Sequence, residues 1–160
     1  YGEAFVLPKA VVDDDVAVLQ GLDGRKMSKS YGNTIPLFST PKKLQKGINK
    51  IKTNLLEPGE PKDPDTSAVF QIWCAFANES ERQEMREAFE AGLAWGEAKK
   101  RLFERINDEI APARDEYDRL MANPQEVEAI LRAGAERLRP QSNELLDKVR
   151  HAVGLRTFAS

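Results

Sequence analysis

The sequence predicts a mainly α-helical protein, in which a helical bundle from residue 66 onward follows a short stretch of strand and loop. Apolar residues recur every three or four positions over most of the chain after residue 66, which is typical of amphipathic helices. Capping signals divide this region into four or so helices. The first 23 residues contain short β-branched runs instead. With 160 residues, the chain can form one ordinary domain, or one domain and a piece of another.

Residues 1–23 are expected to form strand and loop. The runs at 11–12 and 16–19 are short and rich in valine, whereas the three aspartates at 13–15 favour a turn. Strands this short do not form a sheet alone, so we expect them to be the edge of a larger sheet. The chain opens on Tyr1, and we interpret it as a segment of a longer polypeptide. The aspartate triplet lacks the alternating ligands of a calcium loop, so no metal site is predicted.

The helical part begins with clear start signals. Thr40 precedes Pro41, so its hydroxyl is expected to cap a short helix over residues 41–50. Residues 53–66 contain three prolines and several acids and are predicted to form a loop. The next helix carries an apolar stripe at Val69, Ile72, Trp73 and Phe76.

Two further start signals and two prolines organise the remaining helices. Asn78 and Glu81 have the spacing of a capping box for a helix that ends near Gly92. A long pattern over residues 95–121 contains Pro112, where we expect a kink or a break because proline cannot donate a backbone hydrogen bond.

The last helix restarts at Asn123-Pro124 and ends near Gly154. Pro140 is expected to interrupt this helix in the same way. Helices of this kind with short links form a bundle.

Charge is distributed unevenly along the chain. The chain has a net charge of −2, but residues 24–56 hold eight Lys or Arg and no acid. Such a stretch is a candidate surface for a polyanion. Residues 57–160 carry more acids than bases, so they are not a general nucleic-acid binder.

The cysteine content and the lengths of the apolar runs indicate the cellular location expected for the protein. Cys74 is the single cysteine; it lies in an apolar helical run and is interpreted as a buried packing residue. A reducing, cytoplasmic location is therefore expected. No apolar run approaches the roughly 20 residues of a membrane helix, so no membrane partner is predicted.

Residues 26–30 read Lys-Met-Ser-Lys-Ser and follow Gly-Leu-Asp-Gly-Arg at 21–25. Closely spaced glycines permit a mobile loop. Lysine ammonium groups and serine hydroxyls in such a loop suit phosphate binding, and Met27 is expected to pack inward and anchor the loop. Two lysines three apart are common on any solvated surface, so the specificity lies in the whole phrase. The phrase does not match a Walker A loop.

This pentapeptide, followed by Asn33-Thr34-Ile35, is a signature of class I aminoacyl-tRNA synthetases, and within that class the chain resembles tryptophanyl-tRNA synthetase. The resemblance implies that residues 1–40 are the last portion of a Rossmann-type catalytic domain. Residues 41–65 would be a connecting helix and loop, and residues 66–160 a helical anticodon-binding domain. The resemblance covers essentially the whole chain, with further matching words at residues 33–38, 67–72, 95–99 and 149–155.

The resemblance also implies a function and a set of site residues. The chain would be a fragment of a tryptophan–tRNA ligase, whose parent forms tryptophanyl-adenylate from tryptophan and ATP with Mg²⁺, loads tRNA(Trp) and is a homodimer. Lys29 would contact the β- and γ-phosphates and Lys26 would assist, so these two are the catalytic candidates. Backbone groups near Ala17 or Val18 would meet the adenine edge. The implied ATP-binding set is Lys26, Met27, Ser28, Lys29, Ser30, Ala17 and Val18.

The lysines that follow the loop leave two interpretations open. Lys42, Lys43 and Lys46, with two further lysines at 50 and 52, form either a solvated helix face or a contact with tRNA phosphates or the triphosphate. The tryptophans are treated similarly. Trp73 is predicted to be core, whereas Trp95 is open to core packing or to stacking on a base.

One feature of the family is missing from this sequence. Class I enzymes carry a His-x-Gly-His word, but the single histidine here is His151, which is interpreted as a surface or packing residue. The isolated chain is therefore predicted to be inactive in adenylation. Two alternatives stay open at this point: a stand-alone helical tRNA- or RNA-binding module, and an unrelated nucleotide-binding or scaffold protein.

Overall fold

The computed structural model describes residues 1–2, 4–12 and 18–155. Over these residues it contains five α-helices, and the predicted mainly α fold class is confirmed. None of the helices in this part of the chain is both long and apolar enough to cross a membrane. The helices are α1 (Pro41–Asn49), α2 (Ala68–Cys74), α3 (Glu79–Glu90), α4 (Trp95–Met121) and α5 (Pro124–Ala152), and a 3₁₀ turn covers Lys29–Tyr31.

The strands expected near the start of the chain do not form in the part that is described. Residues 11–12 and 18–19 have no strand conformation, and residues 13–17 lie outside the described residues. The pairing found in the described ranges is one isolated antiparallel bridge, between Gln20 and Lys26. A strand needs a neighbouring strand to satisfy its backbone N–H and C=O groups, and the described residues place none beside these runs.

Side-chain caps confirm the predicted helix starts at Thr40 and Asn78, whereas Asn123 makes no side-chain capping bond at the start of α5. At α1, the Oγ1 of Thr40 accepts a 3.4 Å hydrogen bond from the backbone N–H of Lys43. At α3, Asn78 and Glu81 form both bonds of the capping box, at 3.0 and 2.7 Å. The short polar side chains of Thr40 and Asn78 therefore cap their helices by accepting hydrogen bonds from N–H groups that have no partner within the helix.

α4 and α5 run continuously through Pro112 and Pro140, so a break at either proline is wrong, whereas a kink stays a prediction. A proline in a helix removes one backbone hydrogen bond and crowds the preceding turn. Both prolines are exposed, so the carbonyl that loses its partner lies where water reaches it. The many remaining backbone bonds of helices with 27 and 29 residues keep each helix intact.

The chain divides into two compact units, Val12–Tyr117 and the pair of segments Tyr1–Val11 and Asp118–Ser160. In the first unit, α1, α2, α3 and most of α4 share one apolar core. Trp73 and Cys74 pack against this core but are half-buried, so the predictions of a core Trp73 and a buried Cys74 are confirmed only in part. The buried members are Leu44, Ile48, Ile51, Ala68, Val69, Phe70, Ile72, Met85, Phe89, Ala98, Leu102 and Ile106.

In the second unit, α5 ends where its glycine predicts but buries none of its described side chains. After its last residue, the N–H of Leu155 donates to the carbonyl of Arg150 at 2.8 Å, and Gly154 has a left-handed φ of 79°. Its large apolar residues, which have the spacing of an amphipathic helix, are exposed at Ile130, Leu131, Leu138, Leu145 and Leu146. The predicted domain boundaries at 40 and 65 stay a prediction.

Candidate functional site

The candidate site is the lysine loop, defined here as residues 21–33. Two backbone hydrogen bonds hold it: the N–H of Leu22 donates to the carbonyl of Asn33 at 3.0 Å, and the N–H of Met27 donates to the carbonyl of Leu19, just before the loop, at 2.8 Å. The first bond joins the two ends of the loop, and the second ties the Lys-Met-Ser-Lys-Ser word to the residues that precede the loop.

A buried amide crosses the inside of the lysine loop. Asn33 is 3% exposed, and its Oδ1 accepts a 2.8 Å hydrogen bond from the backbone N–H of Ser28. Its Nδ2 donates to Asp23 Oδ1 at 2.7 Å and to the carbonyl of Lys26 at 3.2 Å. One side chain thus fixes three points of the loop, two of which belong to the five-residue word.

A carboxylate and a guanidinium extend this network toward the surface. Asp23 accepts from the backbone N–H of Arg25 at 3.1 Å and from its Nε at 2.7 Å. The hydrogen bond from Asn33, followed by the bonds and charge of Arg25, lowers the pKa of Asp23 from 3.8 to about 2, because each favours the ionised carboxylate. The Arg25 guanidinium also lies 4.4 Å from the ring centroid of Tyr31. Asp23 is therefore ionised at neutral pH.

The two lysines of the word are presented to solvent. Lys26 and Lys29 are exposed, and in the described ranges neither ammonium group lies in an ion pair. The hydroxyls of Ser28 and Ser30 are 2.9 Å apart, and either can donate to the other. Met27 is half-buried, and its role as an anchor of the loop stays a prediction. The arrangement offers two cations and two hydroxyls to an anion from a backbone that is held in place.

The residues predicted to meet adenine receive no test from the structure. Val18 is 58% exposed and immediately precedes the loop base, whereas Ala17 lies outside the described residues. Their contact with a nucleotide base therefore stays a prediction.

The lysines after the loop lie on one side of α1. Lys42, Lys43 and Lys46 are exposed, whereas Leu44 and Ile48 turn to the core and are 1% and 0% exposed. None of the three lysines pairs with a carboxylate within the described part of the chain. This face is therefore available to a polyanion, although a solvated helix face has the same appearance.

Trp95, which the sequence leaves open between packing and base stacking, is engaged in packing. Its ring meets that of Phe89 edge-on at 5.5 Å between centroids, and its Nε1 donates to Asn54 Oδ1 at 3.0 Å. The buried ammonium of Lys62 lies 5.6 Å from the ring centroid. His151 is exposed in the last turn of α5, in agreement with its interpretation as a surface residue.

The described residues show no cluster of metal-ligating side chains. They contain no group of three or more His, Cys, Asp or Glu side chains that could hold a metal ion, and Asp23 is the one carboxylate of the lysine loop. The Asp13–Asp15 triplet lies outside the described residues.

Sequence reasoning missed Asn33 and Asp23 as site residues. Both belong to words quoted for the resemblance, but their polar character and spacing give no sign that they face each other. Only the fold, which closes the loop, brings the amide of Asn33 within reach of residues five, seven and ten positions earlier.

Comparison with known proteins shows the family to which the chain belongs. Residues 2–110 match the family described as tRNA synthetases class I (W and Y). The chain therefore belongs to the class I tRNA synthetases, which confirms the resemblance inferred from the lysine loop.

Several similar proteins are tryptophan–tRNA ligases or tryptophanyl-tRNA synthetases. The chain is 54% identical over 156 residues to tryptophan–tRNA ligase from Neisseria meningitidis, covering 98% of this chain and 46% of the relative. It is 50% identical to the tryptophan–tRNA ligase from Pseudomonas aeruginosa, covering 98% of this chain and 35% of the relative. The crystal structure of Campylobacter jejuni tryptophanyl-tRNA synthetase complexed with ADP and tryptophan is 39% identical, with a TM-score of 0.79, over 96% of this chain and 49% of that chain. The chain thus spans less than half the length of these relatives.

Proposed function

We propose that this chain is part of a tryptophan–tRNA ligase and supplies its triphosphate-binding loop. The observation that carries the proposal is the pair of exposed ammonium groups, Lys26 and Lys29, on a loop whose backbone is fixed at several points. The tryptophan–tRNA ligases among its relatives support the choice of tryptophan as substrate. Activity, substrates and tRNA binding belong to the whole enzyme, of which this chain would be one portion.

In the proposed reaction, a carboxylate oxygen of tryptophan attacks the α-phosphorus of ATP. A new oxygen–phosphorus bond forms, the bond from the α-phosphorus to the bridging oxygen of the β-phosphate breaks, and pyrophosphate leaves. Negative charge grows on the leaving group, and cations already in place lower the barrier. Lys29 would contact the β- and γ-phosphates, Lys26 would assist, and the hydroxyls of Ser28 and Ser30 would donate to phosphate oxygens.

Removal of one ammonium group tests this role. In the full-length enzyme that carries this segment, Lys29→Ala should slow tryptophan-dependent ATP–pyrophosphate exchange by about 100- to 1,000-fold, the scale of losing one donor to the transition state. Lys148→Ala is the matched control, because Lys148 is exposed on α5 and pairs with Glu144; its exchange rate should not change. A loss of less than threefold in Lys29→Ala would exclude a direct role.

The face of α1 is proposed to contact the phosphates of tRNA(Trp). A Lys42→Ala/Lys43→Ala variant should bind tRNA more weakly and show a shallower dependence of affinity on salt, because each phosphate contact releases counterions. Lys9→Ala, at an exposed position outside α1, is the control for loss of charge. An unchanged salt slope would mean that α1 presents an ordinary solvated face.

The remaining expectations from the resemblance are part of the same proposal. The 160-residue chain alone should not catalyse exchange, because the His-x-Gly-His word and the tryptophan pocket would lie elsewhere in the enzyme. Measurable exchange by this chain would contradict the proposal. ATP accompanied by Mg²⁺, a homodimeric enzyme and a cytoplasmic location stay predictions.

A further inference from the structure

We propose that Asn33 is a positioning residue that shapes the lysine loop for adenylate formation, an inference that rests on the function proposed above. Its buried amide would hold the peptide from Lys26 to Ser28 in one conformation. The ammonium groups of Lys26 and Lys29 then meet the triphosphate without first paying for the ordering of the backbone.

The contacts of Asn33 come from both its side chain and its main chain. The amide is bonded to Ser28, Lys26 and Asp23, and the Asn33 carbonyl accepts the N–H of Leu22 at the base of the loop. A side chain that is 3% exposed makes these bonds away from competing water, so each is harder to replace than a surface bond.

Asparagine is the residue type that this position requires. The Ser28 N–H needs an acceptor, whereas the Lys26 carbonyl and the ionised Asp23 need donors, and an amide has one oxygen and two N–H groups to give. Alanine removes all three bonds. Aspartate keeps the acceptor but places a second carboxylate against Asp23, which is unfavourable.

A glycine on the other side of the loop leaves room for this amide. A Cβ added to Gly21 would lie 2.6 Å from the Asn33 carbonyl oxygen and closer still to the side-chain amide. Gly21→Ala should therefore displace Asn33 without changing any polar group. Gly47, in α1, has no atom within 4 Å of the equivalent Cβ position, so Gly47→Ala is a matched control.

The first experiment separates the chemical step from substrate binding. In the full-length enzyme, Asn33→Ala and Gly21→Ala should each lower kcat for ATP–pyrophosphate exchange about 10- to 100-fold, since small misplacements of charged groups are costly. The KM for tryptophan should stay within twofold of its value in the unsubstituted enzyme. Gly47→Ala should exchange at the same rate as the unsubstituted enzyme. A rise in the KM for tryptophan with unchanged kcat, or parent rates in both variants, would overturn the proposal.

The second experiment exchanges the two polar partners. Asn33→Asp should be impaired by the facing carboxylates, and adding Asp23→Asn should restore a donor opposite the new acceptor. We expect the double variant to exchange at least fivefold faster than Asn33→Asp alone. A double variant no faster than Asn33→Asp would show that this pair does not set the rate and would overturn the proposal.

The third experiment uses the 160-residue chain and needs no activity. In the 160-residue chain, the Ser28 amide hydrogen should exchange with solvent at least tenfold faster in Asn33→Ala than in the chain without a substitution, as measured by NMR. Equal exchange in the two chains would refute the positioning role. If the full-length parent itself shows no tryptophan-dependent exchange, the proposed function fails, and the Ser28 measurement still decides whether Asn33 holds the loop.

Discussion

Gly92 lies just after the end of α3, and a single added methyl group at this position should destabilise the fold. Its φ is +89°, and the N–H of Leu93 donates to the carbonyl of Ala88 at 2.9 Å, while that of Gly92 donates to Phe89 at 3.0 Å. These two bonds form a Schellman motif, which needs a left-handed residue after the helix. Any residue with a Cβ is strained there.

The surroundings of Gly92 add a steric cost. A Cβ at this position would lie 2.6 Å from the Cα and carbonyl oxygen of Gly59 and closer to its carbonyl carbon. Gly59 also donates its N–H to the carbonyl of Gly92 at 2.8 Å, so the two backbones cannot separate without losing this bond. The left-handed penalty of about 1–2 kcal/mol and the lost bond of about 1 kcal/mol give an expected destabilisation of about 2–3 kcal/mol for Gly92→Ala.

Urea unfolding of the 160-residue chain, followed by tryptophan fluorescence, measures this cost. Trp73 and Trp95 both lie in the unit Val12–Tyr117, as does Gly92, so the signal reports the affected unit. With a slope of about 1–2 kcal/mol per molar urea for a unit of this size, the midpoint should fall by about 1–3 M. Gly96→Ala is the control, because its added Cβ meets no atom within 4 Å and alanine is the better helix former. If Gly92→Ala unfolds at the same urea concentration as Gly96→Ala, the reasoning is refuted.

Two further predictions concern the titration of Asp23 and the proline within α4. The carboxyl of Asp23 should titrate in the folded chain near its lowered pKa of about 2, and its midpoint by NMR should return toward 3.8 in Asn33→Ala; because the folded pKa is depressed, the stabilisation is present above pH 3.8 and is lost as the pH falls through about 2. A titration midpoint that does not move in Asn33→Ala would contradict the hydrogen bond between them. Pro112→Ala should raise the free energy of unfolding by about 1–3 kcal/mol, since it restores the N–H that α4 lacks, and an unchanged urea midpoint would show that α4 has adapted fully to the proline.

Local signals in the sequence were sufficient to predict most of the helices. The cap at Thr40 and the capping box at Asn78 depend on residues at most three positions apart. The local sequence is therefore enough to predict where these two helices start. The effect of Pro112 and Pro140 could not be judged in this way. Whether one missing hydrogen bond breaks a helix depends on the stability of the rest of that helix, and helices of 27 and 29 residues tolerate it.

The packing of α5 also went beyond what the sequence pattern determines. Its apolar residues have the spacing of an amphipathic helix, yet those at Ile130, Leu131 and Leu138 are 50% or more exposed. Periodicity indicates that a helix has an apolar face, but it does not indicate which element covers that face. Burial is a property of two surfaces, and one sequence pattern describes only one of them.

The lysine loop shows the same division between chemistry and geometry. The sequence alone identifies Lys26 and Lys29 as candidate phosphate-binding residues, because the charge of a lysine does not depend on its neighbours. Their usefulness depends on the backbone between them, and that backbone is held by Asn33 through bonds to positions 23, 26 and 28. Flexible ammonium stems can follow a moving phosphate, provided that the peptide carrying them does not move as well. We therefore infer that the neutral amide, which no charge pattern would select, limits how effectively the two lysines act.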